Sequence, residues 1–227
     1  METSDGTPGQ RGRDRILARI RAALVLPAPR HKPLGVTPQQ FFAPVEDLAM
    51  RFQVECAGNH TECLVVKDGQ ASAAALLKIF DSLPTGEVYV QDEPDLRSIQ
   101  PRLARRRPLH WSSEPTEGRG GPREGCAASV TKAEVLVANT GSVFVSAACG
   151  GRSASMSPPV HIVIAGAEQL APTLDAAFAR LRANGAIERS SSLCLITGSS
   201  RTADIEKILV LGAHGPRRLV VILALAP

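Results

Sequence analysis

Aromatic side chains are scarce in this chain of 227 residues, which carries six Phe, one Tyr and one Trp. Grooves that bind single-stranded nucleic acid combine a basic surface with aromatic rings on which the bases stack. The arginines at 105–107 form a basic cluster, but only Trp111 lies near them in the sequence. We therefore interpret the cluster as a solvated helix end, where positive charge suits the helix dipole, and we predict no nucleic-acid partner.

Closely spaced cysteine pairs are also missing. The chain has five cysteines, an odd number, and none of them form a Cys-x-x-Cys motif. Disulfide frameworks, structural zinc sites and iron–sulfur clusters need paired or regularly spaced thiols. The sequence thus predicts no metal site and no iron–sulfur cluster in this chain, and leaves any other cofactor open. It favours reduced, mostly buried thiols, which are Cys56, Cys63, Cys126, Cys149 and Cys194.

The sequence also lacks long apolar runs. The longest run, from Leu219 to Ala226, is far shorter than the roughly 20 residues that a membrane helix needs. Residues 1–15 are polar and charged, and they lack the apolar segment of a signal peptide. These features predict a cytoplasmic protein with no membrane span.

The N-terminal part differs in composition from the rest of the chain. Residues 1–12 are polar and are predicted to be a disordered tail. Residues 13–37 are predicted to hold an amphipathic helix, with its apolar residues at helical spacing and a basic opposite face, and then a proline-rich linker. Such a helix is expected to dock on its own domain or on a partner. Residues 38–227 are predicted to form one α/β domain.

Strand-like and helix-like segments alternate along the first half of this domain. Residues 61–66 and 86–92 have strand patterns, and residues 69–83 and 93–106 have helix patterns. This alternation predicts a parallel sheet covered by helices. Residues 107–126 are rich in glycine and proline and are predicted to be a long loop, either disordered or a variable insertion. The second half is predicted to contain strands near 142–146, 158–167, 191–197 and 217–226, and helices at 167–185 and 201–212.

The stretch ITGSSRTADIEKILVLGAHGP, residues 196–216, is the densest in polar groups. A strand followed by Thr-Gly-Ser-Ser and then a predicted helix would present backbone N–H groups at an electropositive helix start, which can hold an anion. The same residues also suit an ordinary capped helix, with Ser200 or Thr202 as the cap and Asp204 and Glu206 near its first turn. The Gly-Lys-Ser/Thr end of a P-loop is missing. The candidate ligand-binding residues, here and in an earlier Thr-Gly-Ser turn, are Thr140, Gly141, Ser142, Gly198, Ser199, Ser200, Arg201 and Thr202.

Acid–base chemistry has four candidate residues. His161 stands at the entrance to a predicted strand, His214 lies in a compact turn, and Asp204 and Glu206 lie between them in sequence. Each histidine alone also fits a structural role, and neither has a metal-ligand spacing. The chain has no G-x-S-x-G nucleophile elbow and no G-x-G-x-x-G dinucleotide fingerprint. The catalytic residues therefore stay undecided at this level.

Three ordered segments resemble the LUD-domain family: ANTGSVFVS at 138–146, PPVHIVIAGAEQL at 158–170, and the stretch at 196–216. The resemblance implies a NagB/RpiA/CoA-transferase-like layered α/β sandwich with a mainly parallel sheet, plus an N-terminal helix. It also implies an accessory subunit, without an iron–sulfur cluster, of a bacterial cytoplasmic system that oxidises L-lactate to pyruvate. The implied partners are the iron–sulfur subunits of that system. This chain departs from the family pattern at Ser142, usually threonine, and at Ser199, usually proline.

Two alternatives to the accessory subunit stay open. The first is a stand-alone enzyme of the isomerase or CoA-transferase type, or a binder of a phosphorylated or carboxylate small molecule. Arg201 would then contact the anion in a bidentate manner. The second is an interaction scaffold in which the three segments serve only as caps and turns.

Overall fold

The computed structural model of this chain describes residues 8–24, 46–114, 121–203, 209–211 and 215–226. The chain divides into two units, residues 1–41 and 42–227, and each is described by itself. The described part of the first unit is a helix, α1 (Pro8–Leu24), which begins before the predicted start at residue 13. The division into a tail, a helix with linker and an α/β domain stays a prediction.

The second unit contains the remaining helices and all the strands described. The helices are α2 (Leu48–Gly58), α3 (Gly69–Ser82), α4 (Pro94–Ser98), α5 (Gln100–Ala104), α6 (Ser153–Met156), α7 (Leu174–Ala183) and α8 (Ala186–Arg189). The strands are β1 (Glu62–Val66), β2 (Val88–Val90), β3 (Leu109–Trp111), β4 (Ala128–Lys132), β5 (Val135–Val137), β6 (Ser142–Ser146), β7 (Val160–Gly166), β8 (Leu170–Ala171), β9 (Leu193–Ile196), β10 (Arg201–Ala203), β11 (Leu209–Leu211) and β12 (Arg218–Ala224).

Six strands form a parallel sheet in the order β1-β12-β7-β4-β2-β3. Its longest pairing joins β7 and β12, from Val160 opposite Arg218 to Gly166 opposite Ala224. Their sequences, VHIVIAG and RLVVILA, are nearly continuously apolar, as strands buried on both faces require. The predicted strands at 61–66, 86–92 and 158–167 are confirmed here.

Helices and a second sheet cover the two faces of this parallel sheet. Helices α3, α4 and α5 share one apolar cluster with the first face, in which Phe80 and Leu103 are fully buried. The opposite face packs against α2 and a four-stranded sheet in the order β8-β5-β6-β9. Helices α7 and α8 cover the outer side of that smaller sheet. The expected layered α/β sandwich with a mainly parallel sheet is confirmed.

Polar side chains at the starts of three helices explain where those helices begin. Asp47, Asp68 and Thr173 each accept a hydrogen bond from a backbone N–H three residues later, at 2.9, 2.8 and 3.3 Å. Such N-caps satisfy donors that the first helical turn leaves free, and each contributes about 1 kcal/mol. The cap at Thr173 starts α7 later than the predicted helix at 167–185, whose first part holds the short strand β8.

The predicted helix at 201–212 is wrong. Strands β10 and β11 pair in an antiparallel manner, with Arg201 opposite Leu211. The helix prediction relied on acidic residues that suit a first helical turn, but the pairing of β10 with β11 overrides that local preference. Because Arg201–Ala203 form a strand, they do not offer a helix N-terminus to an anion. Residues 204–208 and 212–214 lie outside the described residues.

The predicted loop at 107–126 is also only partly correct. Strand β3 pairs with β2 at the edge of the parallel sheet, and Trp111 is buried there beneath the guanidinium of Arg97, 3.9 Å from the ring centre. A three-residue strand gives too short a pattern to stand out among glycines and prolines. Residues 115–120 lie outside the described part of the chain.

Candidate functional site

The two Thr-Gly-Ser turns, more than fifty residues apart in sequence, meet in the structure. Strands β6 and β9 pair in an antiparallel manner, with Val143 opposite Ile196, so the residues beyond this pair come together. The Ser142 hydroxyl lies 2.7 Å from the Thr197 hydroxyl and 2.8 Å from the Thr140 hydroxyl. The structure therefore brings Thr140, Gly141 and Ser142 beside Gly198, as a shared site would require.

Both turns rest against the C-terminal end of α2. The Asn59 side-chain amide donates a hydrogen bond to the Thr140 carbonyl at 2.8 Å. A Cβ on Gly141 would lie 2.7 Å from the Cys56 backbone nitrogen, and one on Gly198 would lie 2.4 Å from the Asn59 carbonyl oxygen. Both glycines have positive φ, +61° and +85°. Glycine is thus needed at each turn because the backbone of α2 approaches closely, a contact within the protein rather than with a ligand.

The second turn points toward the amino ends of the parallel strands. The Ser200 N–H donates to the Pro216 carbonyl at 2.9 Å, and the Arg217 N–H donates to the Pro159 carbonyl at 2.9 Å. Pro159 and Arg217 directly precede β7 and β12. The turn follows β9 of the smaller sheet, so it does not lie at the carboxyl ends of the parallel strands.

The remaining residues of the predicted site are only partly described. Ser199 is buried within this turn, and Arg201 and Thr202 lie in β10. Asp204, Glu206 and His214 lie outside the described residues. The assignment of ligand-binding and catalytic roles to these residues stays a prediction.

His161 is fully buried in the parallel sheet rather than exposed at either turn. Its Nε2 lies 2.9 Å from the Thr131 hydroxyl. Burial lowers the pKa of His161 to about 4, because desolvation disfavours the charged imidazolium. The side chain is therefore neutral at pH 7, and in the described structure it packs as a core histidine.

His161 belongs to a row of buried polar side chains across four neighbouring strands. Its row partners are Ser129 on β4, Tyr89 on β2 and His110 on β3, each opposite the next in the register. Five buried nitrogen and oxygen atoms of this row have no hydrogen-bond partner within the described residues. Burial raises the pKa of Tyr89 to about 12. Sequence reasoning missed this row because His110 fell within the predicted loop.

An open cleft of about 880 Å³ lies at the carboxyl ends of β4, β7 and β12. Its walls include small residues of α3 and of the strand ends, such as Gly69, Ala73 and Gly166. The Lys132 ammonium lies 3.0 Å from the Asp95 carboxylate, and both side chains are partly exposed. Arg102 adds a second positive charge to the lining. Ligands of parallel α/β sheets bind at this edge. The lining also contains the acids Asp95 and Glu168, so its charges balance, and an anion would replace Asp95 as the partner of Lys132.

The position of Lys132 is fixed by its neighbours along the cleft wall. Its backbone N–H donates to the side-chain oxygen of Gln91 at 2.9 Å, and the Gln91 amide donates to Glu93 at 2.9 Å. On the other side, Gln169 accepts from the Gly166 N–H at 2.8 Å and donates to the Ala133 carbonyl. These bonds hold the ends of β4 and β7 around the cleft. No single sequence motif marks this site, because its residues come from separate elements.

In the described ranges, no helix combines the length and the apolar composition that crossing a bilayer requires.

Residues 49–224 match the LUD domain family. The chain is 27% identical over 216 residues to lactate utilization protein C of Bacillus subtilis, covering 90% of this chain and 89% of that protein. It is 26% identical over 175 residues to lactate utilization protein C of Shouchella clausii, covering 75% and 76%. A crystal structure of a DUF162 family protein from Deinococcus radiodurans has the same fold, with a TM-score of 0.55 at 18% identity over 78% of this chain and 96% of that one. Because the family match spans most of the folded domain, this chain belongs to the LUD-domain family.

Proposed function

We propose that this chain is an accessory subunit of a cytoplasmic system that oxidises L-lactate to pyruvate, working beside iron–sulfur subunits. The observation that carries the proposal is the similarity to lactate utilization protein C of Bacillus subtilis along nearly the full length of both chains. The family match over residues 49–224 supports it. In this role the chain supports oxidation without holding a cluster of its own.

The environment of two cysteines fits this role. Burial raises the pKa of the Cys149 thiol to about 12 and raises that of Cys126 as well. Both thiols are buried, and a protonated, buried thiol behaves as a small apolar side chain rather than as a nucleophile or a metal ligand. These two residues therefore contribute to packing.

Deleting the gene for this chain alone, with the genes of the iron–sulfur subunits intact, is expected to abolish growth on L-lactate. Growth on glucose should be unchanged, and a plasmid copy of the gene should restore growth on L-lactate. The readout is the growth rate on each carbon source, together with the amounts of the iron–sulfur subunits. Normal growth of the deletion strain on L-lactate would contradict the proposal.

A second candidate function is the binding of a small carboxylate or phosphorylated molecule, either as a stand-alone isomerase or CoA-transferase-like enzyme or as a binding protein. The observation that favours it is the cleft at the carboxyl ends of the parallel strands, with Lys132 and Arg102 in its lining. An ammonium group gives a carboxylate a charge-assisted hydrogen bond. L-Lactate and pyruvate are both small carboxylates, so this function is compatible with the first.

Lys132→Met is expected to weaken the binding of a carboxylate ligand about tenfold or more, as the loss of one charge-assisted hydrogen bond implies. Isothermal titration with L-lactate, pyruvate, a sugar phosphate and a CoA ester measures the effect. Lys78→Met, at an exposed position of α3 outside the cleft lining, is the matched control. Arg201→Ala tests the alternative site at the turn after β9. If Lys132→Met leaves binding unchanged and Arg201→Ala abolishes it, the ligand binds at the turn after β9 instead of in the cleft.

A further inference from the structure

Helix α1 presents an apolar side to solvent. Ile16 and Ile20, one turn apart, keep 58% and 50% of their surfaces exposed, and Leu17 beside them is only partly buried. Residues three and four positions apart lie on the same side of a helix, so these three side chains form one stripe. An exposed stripe of large aliphatic residues on a helix is typical of a surface that another molecule covers.

The positive charge of the protein is concentrated in the same helix. Helix α1 contains five arginines and one aspartate, so its formal net charge of +4 equals that of the whole chain. At 100° per residue, Arg15 and Arg19 lie on one flank of the stripe and Arg21 on the other. Arg13 lies one turn before Ile16 on the stripe itself. The side chains of these arginines are exposed, so the helix offers an apolar stripe bordered by guanidinium groups.

The composition of α1 favours a protein surface over a membrane as the occupant. The helix contains arginine and no lysine, and the planar guanidinium binds carboxylates in a bidentate manner. It contains no aromatic residue, whereas helices that lie in a bilayer interface commonly insert Trp or Phe. Arg13 would enter the bilayer at the same depth as Ile16, but a protein groove can pair it with a carboxylate.

We propose that α1 docks into an apolar groove bordered by Asp and Glu side chains on a second protein. This proposal rests on the proposed function, under which the second protein is an iron–sulfur subunit of the lactate-oxidising system. The helix is about 25 Å long at 1.5 Å per residue, long enough to contact a groove over four turns. Its apolar stripe supplies the anchors, and its arginines supply orientation and selectivity for an acidic partner.

Binding of the full chain to the purified iron–sulfur subunits, measured by biolayer interferometry at several salt concentrations, tests this proposal. One variant reverses charge in α1, Arg15→Glu/Arg19→Glu/Arg21→Glu, and a second places charge in the stripe, Ile16→Asp/Ile20→Asp. The matched control reverses the same amount of charge at exposed positions of the folded domain, Lys78→Glu/Arg105→Glu/Arg182→Glu. Thermal unfolding of every variant is recorded alongside.

Affinity of the unmodified chain is expected to fall as salt rises, because the ion pairs are exposed. Charge reversal in α1 is expected to weaken binding at least about tenfold, and charge in the stripe at least about thirtyfold, as for loss of an apolar anchor. The control is expected to change affinity less than about threefold. Melting temperatures of the two α1 variants should match that of the unmodified chain.

Three results would overturn the proposal. The first is equal binding of the unmodified chain and both α1 variants. The second is sedimentation of the unmodified chain, but not the α1 variants, with phosphatidylglycerol vesicles while the subunits fail to bind. The third is a large drop in melting temperature for Ile16→Asp/Ile20→Asp, which would place the stripe against its own chain. The growth test by gene deletion does not depend on how α1 binds. Loss of growth on L-lactate together with any of these three results would therefore contradict the docking of α1 but not the proposed function.

Discussion

Replacing Gly141 by alanine is expected to lower the free energy of unfolding by about 3 kcal/mol. Gly141 has a φ of +61°, in the left-handed region that costs an L-residue about 1–2 kcal/mol. A Cβ there would also lie 2.7 Å from the Cys56 backbone nitrogen and 2.8 Å from the Glu55 backbone carbon. These atoms belong to α2 and cannot move aside as a flexible side chain would, so the clash adds to the conformational strain.

Gly125→Ala is the matched control for this prediction. Gly125 also has a positive φ, +80°, but a Cβ there meets no atom within 4 Å. It should therefore show only the conformational cost, about 1 kcal/mol. Urea unfolding of the three proteins, followed by circular dichroism, gives the comparison. Equal destabilisation by the two substitutions would show that the approach of α2 does not determine the need for glycine at position 141.

Acidification is expected to destabilise the folded chain through His161, by about 3 kcal/mol between pH 6.5 and pH 4. Above pH 6.5 the imidazole is neutral in the folded and unfolded chains, so this residue adds no pH dependence there. Below pH 6.5 the His161 side chain binds a proton in the unfolded chain. In the folded chain it stays neutral until the pH falls to its lowered pKa of about 4. The unfolded chain then binds more protons, so the free energy of unfolding falls as pH falls. Burial is the cause of the lowered pKa.

His161→Gln separates this effect from the titration of carboxylates elsewhere in the chain. The glutamine side chain can still hydrogen-bond with Thr131, the present partner of His161, and it does not titrate. Urea unfolding of both proteins at pH 7 and pH 4.5 gives the difference in pH dependence. We expect the unmodified chain to lose about 2–3 kcal/mol more than the variant over this interval. Parallel pH profiles would show that His161 is not held neutral by burial.

The layered sandwich was predictable where a strand or helix carries its own signal. The apolar run of β7 follows two prolines, and α3 begins at an Asp cap and ends before Pro84. Such elements are set by local residues, so the apolar run of β7 and the helical spacing in α3 predicted them. Strands β3, β10 and β11 have only three residues each, and their sequences, unlike that of the equally short β2, did not indicate a strand.

The candidate site was less predictable because its contacts are tertiary. The sequence placed Gly141 and Gly198 among the candidate ligand-binding residues, but it did not show that the group approaching both glycines is the end of α2. The cleft around Lys132 joins residues from strands and helices far apart in sequence. The buried polar row likewise depends on which strands are neighbours, since Tyr89 and Ser129 meet only through the order of the parallel sheet.

The most direct test of the proposed role is L-lactate oxidation by the purified iron–sulfur subunits with and without this chain. Reduction of an artificial electron acceptor at saturating L-lactate gives the rate. We predict that the subunits alone are slow or inactive and that adding this chain in a one-to-one ratio restores oxidation, with pyruvate formed in proportion. A full rate of pyruvate formation without this chain, unchanged when it is added, would contradict the proposed role.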